Sequence, residues 1–309
     1  MIHSIRLGGL LRPVQRLMPA LQVLLTAAAL AYIWLALRQY GPQVQALAAA
    51  MAGRQWLLLA AAAGLMPLNL SLEAWKLRVL GSAATLREGW RAVLAGMSLG
   101  IFTPNRAGEY AGRLMSAAPG RRAAMLAHTW IGRMAQMLPT LAAGGLAGLL
   151  LAPDWPFPLP AAVPGLAIGL AAAGALLLVF GWKYAARWRP LRGSLDGVSG
   201  FSVRMVLIFS ALRYAVFSIQ YLLILYALGA GGGAAFLLSL TALLFWVKSL
   251  IPFMSVAELG IRESVALWLL PQFGIGPAAA LGSAFLLYLI NLVIPALMGL
   301  PELLRRRAC

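Results

Sequence analysis

Cysteine is almost absent from this chain: the single one, Cys309, stands at its end, so no disulfide can form within it. Histidine is nearly as scarce, with two in 309 residues, which argues against a Cys/His metal site. The deeper shortage is of charge. Only 11% of the residues are charged, whereas a soluble domain carries about 25%. Acid is rarer still, with eight Asp and Glu against 25 Lys and Arg. No stretch is polar enough to fold as a soluble domain. With 62% hydrophobic residues and a mean hydropathy of +0.85, residues 1–309 read as one membrane-embedded domain.

What the chain has instead is long apolar runs. They extend for about 20 residues, the length of a transmembrane helix, and lack the roughly 10-residue alternation of an outer-membrane barrel. The sequence predicts an all-α polytopic membrane protein with about six full spans, at 17–37, 56–75, 123–151, 161–182, 205–228 and 277–300. The first run follows Arg6, Arg12 and Arg16 but is too long for the apolar part of a signal peptide and has no clear cleavage site, so it is read as a helix. Two further stretches, 90–120 and 235–270, are broken in the middle by proline and charge. Each arm is too short to cross about 30 Å of hydrocarbon, and both stretches read as re-entrant helical hairpins.

With the N-terminus in the cytoplasm and each broken stretch returning to its side of entry, 17 of the 25 basic residues, Lys76 among them, fall on the cytoplasmic side. Only Arg38 and Arg54 fall outside. This satisfies the positive-inside rule and places both termini in the cytoplasm. The net charge of +17 is thereby spread over short loops facing anionic headgroups, which argues against nucleic acid as a partner.

Six basic residues remain at membrane depth: Arg106, Arg113, Arg133, Arg213, Lys248 and Arg262, together with Glu73, Glu109, Glu258 and Glu263. A charge at the bilayer centre costs at least about 2.5–3.5 kcal/mol, so these groups require pairing or a watery cavity. Arg106, Glu109, Arg113, Arg133, Arg213, Glu258, Arg262 and Glu263 are the candidate substrate-binding residues. The hairpins share one design. In FTPNRAGEYAGR (102–113) and WVKSLIPFMSVAELGIRE (246–263), a proline (Pro104, Pro252) and a glycine (Gly108, Gly260) precede Glu and Arg on a second arm. These prolines and glycines are the expected hinges.

The proposed topology makes the hairpins inverted relative to one another, the arrangement that marks a transporter's midplane site. A half-helix starting inside the membrane presents free N–H groups and a positive dipole end, which suit an anion and phosphate above all. Glu109 with Arg113, and Glu258 with Arg262, are four apart and share a helix face. Supporting polar residues are Asn69, Glu73, Lys76, Thr103, Asn105, Gln136, Lys248 and Asn291; Thr129, Arg133, Gln136 and Thr140 recur at helical spacing.

Structural readings stand beside these. Glu73 and Lys76 equally suit an interfacial ion pair, and Lys248 equally suits snorkelling. Arg133 and Arg213 also fit as structural partners of Glu109 and Glu263. His128, one residue off the stripe, reads as a packing residue. Trp56, Trp75, Trp90, Trp155 and Trp182 read as an aromatic belt.

Through FTPNRAGEYAGR at 102–113, LNLSLEAWKLRVL at 68–80 and VAELGIRE at 256–263, the whole chain resembles the lysylphosphatidylglycerol synthase transmembrane-region, or flippase-like, membrane protein family. The resemblance implies a bacterial cytoplasmic (inner) membrane protein that moves lipid. Relatives include the flippase half of enzymes that aminoacylate phosphatidylglycerol through a separate soluble domain. With no such synthase domain expected in 1–309, the transfer activity is not carried over.

The reading is therefore a non-enzymatic lipid flippase without cofactor or metal. Its partner is a phospholipid or polyprenyl phosphate whose headgroup enters a polar midplane cavity. Two alternatives stay open: a membrane-embedded transferase using a lipid phosphate, with Glu109 or Glu258 as base, and a non-catalytic partner of a separate lipid synthase.

Overall fold

A computed structural model describes residues 31, 34–35, 38–101, 103, 106–117, 119–154, 165, 168–169, 172–173, 198–250 and 255–304. Among them every regular element is helical. Besides a helical stretch at 38–49 and short 3-10 turns, these are in chain order α1 (Gly53–Gly64), α2 (Met66–Val79), α3 (Leu86–Gly100), α4 (Ala107–Ser116), α5 (Arg122–Leu150), α6 (Gly200–Ala227), α7 (Ala234–Leu250), α8 (Ser255–Leu269), α9 (Pro277–Tyr288) and α10 (Ile294–Leu304).

Among the described residues, three segments are long and apolar enough to cross a membrane: Gly53–Val79, Gly200–Ala227 and Pro277–Leu303, with mean hydropathies of 1.5, 1.7 and 2.0. At about 1.5 Å per residue each reaches some 40 Å, beyond the roughly 30 Å hydrocarbon core. The first joins α1 to α2 through Leu65, with Pro67 in the first turn of α2, where its missing N–H breaks no helical bond. The last joins α9 to α10 through a π-helical turn at Leu289–Val293. The chain is thus an α-helical protein of membrane-spanning type.

Three of the expected six spans are matched by these among the described residues. The runs at 17–37 and 161–182, but for a few positions in each, lie outside them. α5 has the length to cross, 29 residues, but Arg133, Gln136 and Thr140 in its middle keep it out of the strongly apolar set. Large apolar side chains, among them Trp56, Leu57, Phe201, Leu212 and Leu297, face outward and are more than two-fifths exposed, the surface a lipid solvent permits.

The arms of the first broken stretch form a tight hairpin. α3 opens at Thr85, whose Oγ1 accepts from Glu88 N at 3.2 Å, while Glu88 Oε2 accepts from Ala84 N at 2.9 Å, a variant of the capping box. α3 has 15 residues and α4 has 10, so they reach only about 22 and 15 Å. They meet backbone to backbone. A Cβ on Gly108 would lie 2.3 Å from the carbonyl oxygen of Leu99, and one on Gly112 would lie 2.2 Å from that of Ala95.

Gly96 and Gly100 of α3 therefore face Gly108 and Gly112 of α4, each pair at the four-residue spacing of close membrane helix contacts. Gly108 stands in the first turn of the second arm, where it permits this approach. Arg106 makes the turn: it is the one described non-glycine residue with positive φ, 53°, and Gly108 N–H donates to Thr103 Oγ1 at 2.6 Å. Holding a branched-chain-sized residue in that region costs on the order of 1–3 kcal/mol. α10 closes on the same hairpin, with Ser98 Oγ 2.5 Å from Ala296 O and Gly299 against Leu94 O.

In the second broken stretch Gly260 lies inside α8 and does not interrupt it, so it is no hinge. The helix starts five residues earlier, at Ser255. Pro104, Asn105 and Pro252 lie outside the described residues, as does the side chain of Glu258. Two apolar clusters hold the bundle. One is centred on Tyr221, Leu225, Leu240, Leu244, Leu269 and Leu287, the other on Leu70, Leu77, Val93, Met97 and Leu292. The charged residues lie where these clusters meet.

If backbone approach sets the hairpin, Gly112→Val should lower stability by about 3 kcal/mol or more, beyond ordinary overpacking of about 1–3 kcal/mol. Gly132→Ala, which meets nothing within 4 Å, should be neutral or stabilising by up to about 1 kcal/mol. Thermal unfolding in detergent compares them, and equal losses would contradict the packing.

Candidate functional site: a charged cavity

A cavity of about 560 Å³ opens between the first hairpin and α2, α5, α6 and α7. Its charged lining is Glu73 and Lys76 from α2, Arg106, Glu109 and Arg113 at the turn and on α4, Arg133 from α5, Arg213 from α6 and Lys248 from α7. Apolar side chains share the lining, with Val93, Met97, Met134, Met137, Ile261 and Leu292. The space is amphipathic.

Glu73 is the hub. Its Oε1 accepts from Arg113 Nη2 at 2.9 Å, and its Oε2 lies 2.7 Å from Lys76 Nζ and 3.1 Å from Arg213 Nη1. Glu109 makes the second centre. Its Oε1 pairs with the same Arg113 Nη2, one helical turn along α4, and its Oε2 accepts from Arg133 Nη2 at 2.8 Å. Arg113 therefore joins both carboxylates and is only 2% exposed. α4 is tied through it to α2, and through Glu109 to α5.

Neutral amides complete the network. Asn69 Oδ1 accepts from Arg213 Nε at 2.7 Å, while Asn69 Nδ2 donates to Asn291 Oδ1 at 3.0 Å. Asn291 stands in the π-helical turn, a local widening common at functional sites. Gln136 Oε1 accepts from Lys76 Nζ at 3.3 Å and from Arg213 Nη1 at 3.5 Å, and its Nε2 donates to Ser210 O at 3.1 Å. Lys76 Nζ also reaches Gly132 O at 3.3 Å. A buried ion group is tolerable only with its lone pairs and protons so occupied.

Accessibility divides the cations. Lys76 and Arg113 side chains are 2% exposed, whereas those of Arg133 and Arg213 are 29% and 22% exposed. The first two hold the carboxylates; the second two present guanidinium edges to the cavity. Arg133 also lies over the Tyr110 ring, 5.0 Å from its centroid, a cation–π contact.

The structure corrects several expectations. Glu73 and Lys76 do pair, at 2.7 Å, but inside the bundle: both are buried, with further partners from α4, α5 and α6. Arg133 does pair with Glu109, but Arg213 pairs with Glu73 and not with Glu263, since α2 packs between α6 and the hairpin. Arg262 and Glu263 are buried on α8, away from the cavity lining. The Arg262 guanidinium sits 5.9 Å from the Tyr288 ring centroid. Among the described side chains of α8, Ile261 alone lines the cavity.

His128 packs as expected, buried with its Nδ1 2.5 Å from Ser82 Oγ. Trp75 lies partly buried, stacked on Phe209. Tyr110, Trp130, Ser249 and the lining methionines had no distinguishing sequence signal. The paired GxxxG spacings at 96–100 and 108–112 were such a signal for the hairpin. Compared with known protein families the chain matches none, and no curated protein is similar to it at a significant level.

Glu73→Gln should destabilise by about 3–5 kcal/mol, the usual effect of breaking a buried ion group. Glu109→Gln should cost clearly less, because its partner Arg133 can turn into the cavity. Unfolding midpoints in detergent test this ranking, and the reverse order would remove Glu73 from the centre of the network.

Proposed function

We propose that the protein is a lipid flippase: an anionic lipid headgroup enters the charged cavity while its tails stay in the bilayer, and the lipid is moved, not chemically changed. One observation carries the reading. Among the described residues, six basic and two acidic side chains line one amphipathic cavity in a chain with only 11% charged residues. Burying that many cations is costly, and an anion is the ligand that offsets the cost. Met97, Met134 and Met137 in the lining offer the adaptable apolar surface that acyl or prenyl chains suit.

In this reading Arg133 and Arg213, the more accessible pair, bind the phosphate. Arg113, Lys76, Glu73 and Glu109 keep them in position, and Arg106 flanks the entrance to α4. The short arms of α3 and α4 make a re-entrant hairpin, with α7 and α8 its inverted counterpart and about six full spans around them. The setting is a bacterial cytoplasmic membrane with both termini inside, as the resemblance to flippase-like proteins implies.

The assay is the rate at which purified protein in liposomes exposes a headgroup-labelled anionic phospholipid to an outside quencher. Wild type should accelerate exchange. Arg133→Gln and Arg213→Gln should each slow it about tenfold or more, the loss of one charge-assisted contact, with folded yield within twofold. No acceleration by wild type defeats the flippase reading and returns the transferase or partner roles. Topology has its own test. With Cys309→Ser as background, Gly120→Cys and Leu191→Cys should label from the cytoplasm, and Pro153→Cys and Gly232→Cys from outside; Gly120 and Leu191 on opposite faces would refute the re-entrant arrangement.

A further inference from the structure

The cavity's charges do not balance. Lys76, Arg106, Arg113, Arg133, Arg213 and Lys248 face two carboxylates, Glu73 and Glu109, an excess of four positive charges. Counting Arg262, Glu258 and Glu263 of α8 as well gives seven cations against four carboxylates, still an excess of three. The chain has few other acids to supply. Glu88 is engaged at the start of α3, Glu302 pairs with Arg91 at 3.5 Å, Asp154 belongs to a turn beyond the far end of α5, and Asp196 lies outside the described residues. A second observation points the same way. Among the described residues, the buried Nε of Arg113 has no hydrogen-bond partner, although both Glu73 and Glu109 bond the other end of that guanidinium.

A zwitterionic headgroup adds no net negative charge, and a phosphodiester adds one. Either leaves this group of side chains with a net charge of at least +2, a mutual repulsion that partial burial makes costly. A terminal phosphate or a diphosphate brings two or three negative charges and several strong acceptor oxygens. Arg133 and Arg213, the more accessible of these cations, can reach them from the cavity.

We infer that the ligand is a multiply charged phosphate, a phosphomonoester or diphosphate head, and not the singly charged or zwitterionic head of a bulk phospholipid. The inference rests on the anionic-lipid reading above for the attached tail, but its charge argument applies to the head alone. It also disfavours an aminoacylated head, whose added ammonium would meet an already cationic wall.

The test uses the full chain in phosphatidylcholine nanodiscs, with tryptophan fluorescence as readout, since Trp130 borders the cavity. Probes are phosphatidate, phosphatidylglycerol and inorganic diphosphate, at about pH 8, where a phosphomonoester is doubly charged. Phosphatidate should bind at least about tenfold more tightly than phosphatidylglycerol, the effect of one more charge-assisted contact, and inorganic diphosphate should compete with it.

Gln136→Glu adds one negative charge between Lys76 and Arg213 at nearly constant shape. The carboxylate gives up the Nε2 donor to Ser210 O, so folded yield should fall somewhat, while among the folded protein the phosphatidate preference should drop about tenfold. Equal affinity for phosphatidate and phosphatidylglycerol would overturn the inference and leave the lipid reading standing. So would a preference untouched by Gln136→Glu. Binding of diphosphate with neither lipid bound would keep the multiply charged ligand and remove the lipid. No binding of phosphatidate or diphosphate would overturn it outright.

Discussion

Glu73 sits where Lys76, Arg113 and Arg213 converge, and much of the site's architecture depends on that one carboxylate. Three cations brought together in an apolar bundle repel one another strongly at low dielectric. Glu73 turns the repulsion into a fixed geometry by giving each of them an oxygen. Because the cations belong to α2, α4 and α6, the same contacts set how three helices are arranged. Asn69, Gln136 and Asn291 extend the arrangement to α5 and to the π-helical turn.

Such a network is weak evidence for overall stability. Replacing a buried ion group with packed apolar residues is often neutral or favourable, and the two leucine-rich clusters already supply a core. What the network provides is position. Arg133 and Arg213 stay partly accessible and fully oriented, with the flexibility of long side chains already spent on Glu109, Glu73 and Asn69. Preorganised cations bind an anion without paying to assemble the site. The strained backbone at Arg106 fits the same economy, since strain concentrates where a side chain has to be aimed.

The hairpin beside the network is built by a different force. α3 and α4 lack the length to bury much surface, and lipid offers no hydrophobic drive for helices to associate. Close backbone contact at Gly96, Gly100, Gly108 and Gly112 replaces it with dispersion over a tight surface. Side chains would hold the two arms apart and separate Glu109 and Arg113 from α2. The glycines thus act on the site at one remove, through distance.

Composition and hydropathy determined the class of solvent, the helical fold and the scarcity of metal ligands, because these follow from sums over many residues. The four-residue spacing of Glu109 and Arg113 was also legible, since helix geometry alone puts them together. The tertiary structure decided the partners. Glu73 and Arg213 are 140 positions apart, and Asn69 and Asn291 are 222 apart; no local period encodes such pairings. The symmetry of the two broken stretches in sequence suggested equal charged contributions from Arg113 and Arg262. Packing assigned them differently: α4 turns its arginine into the cavity, while α8 offers Ile261 there and keeps Arg262 against Tyr288. Which face of a helix meets which neighbour depends on all the surfaces competing for burial at once, and that competition is settled only in three dimensions.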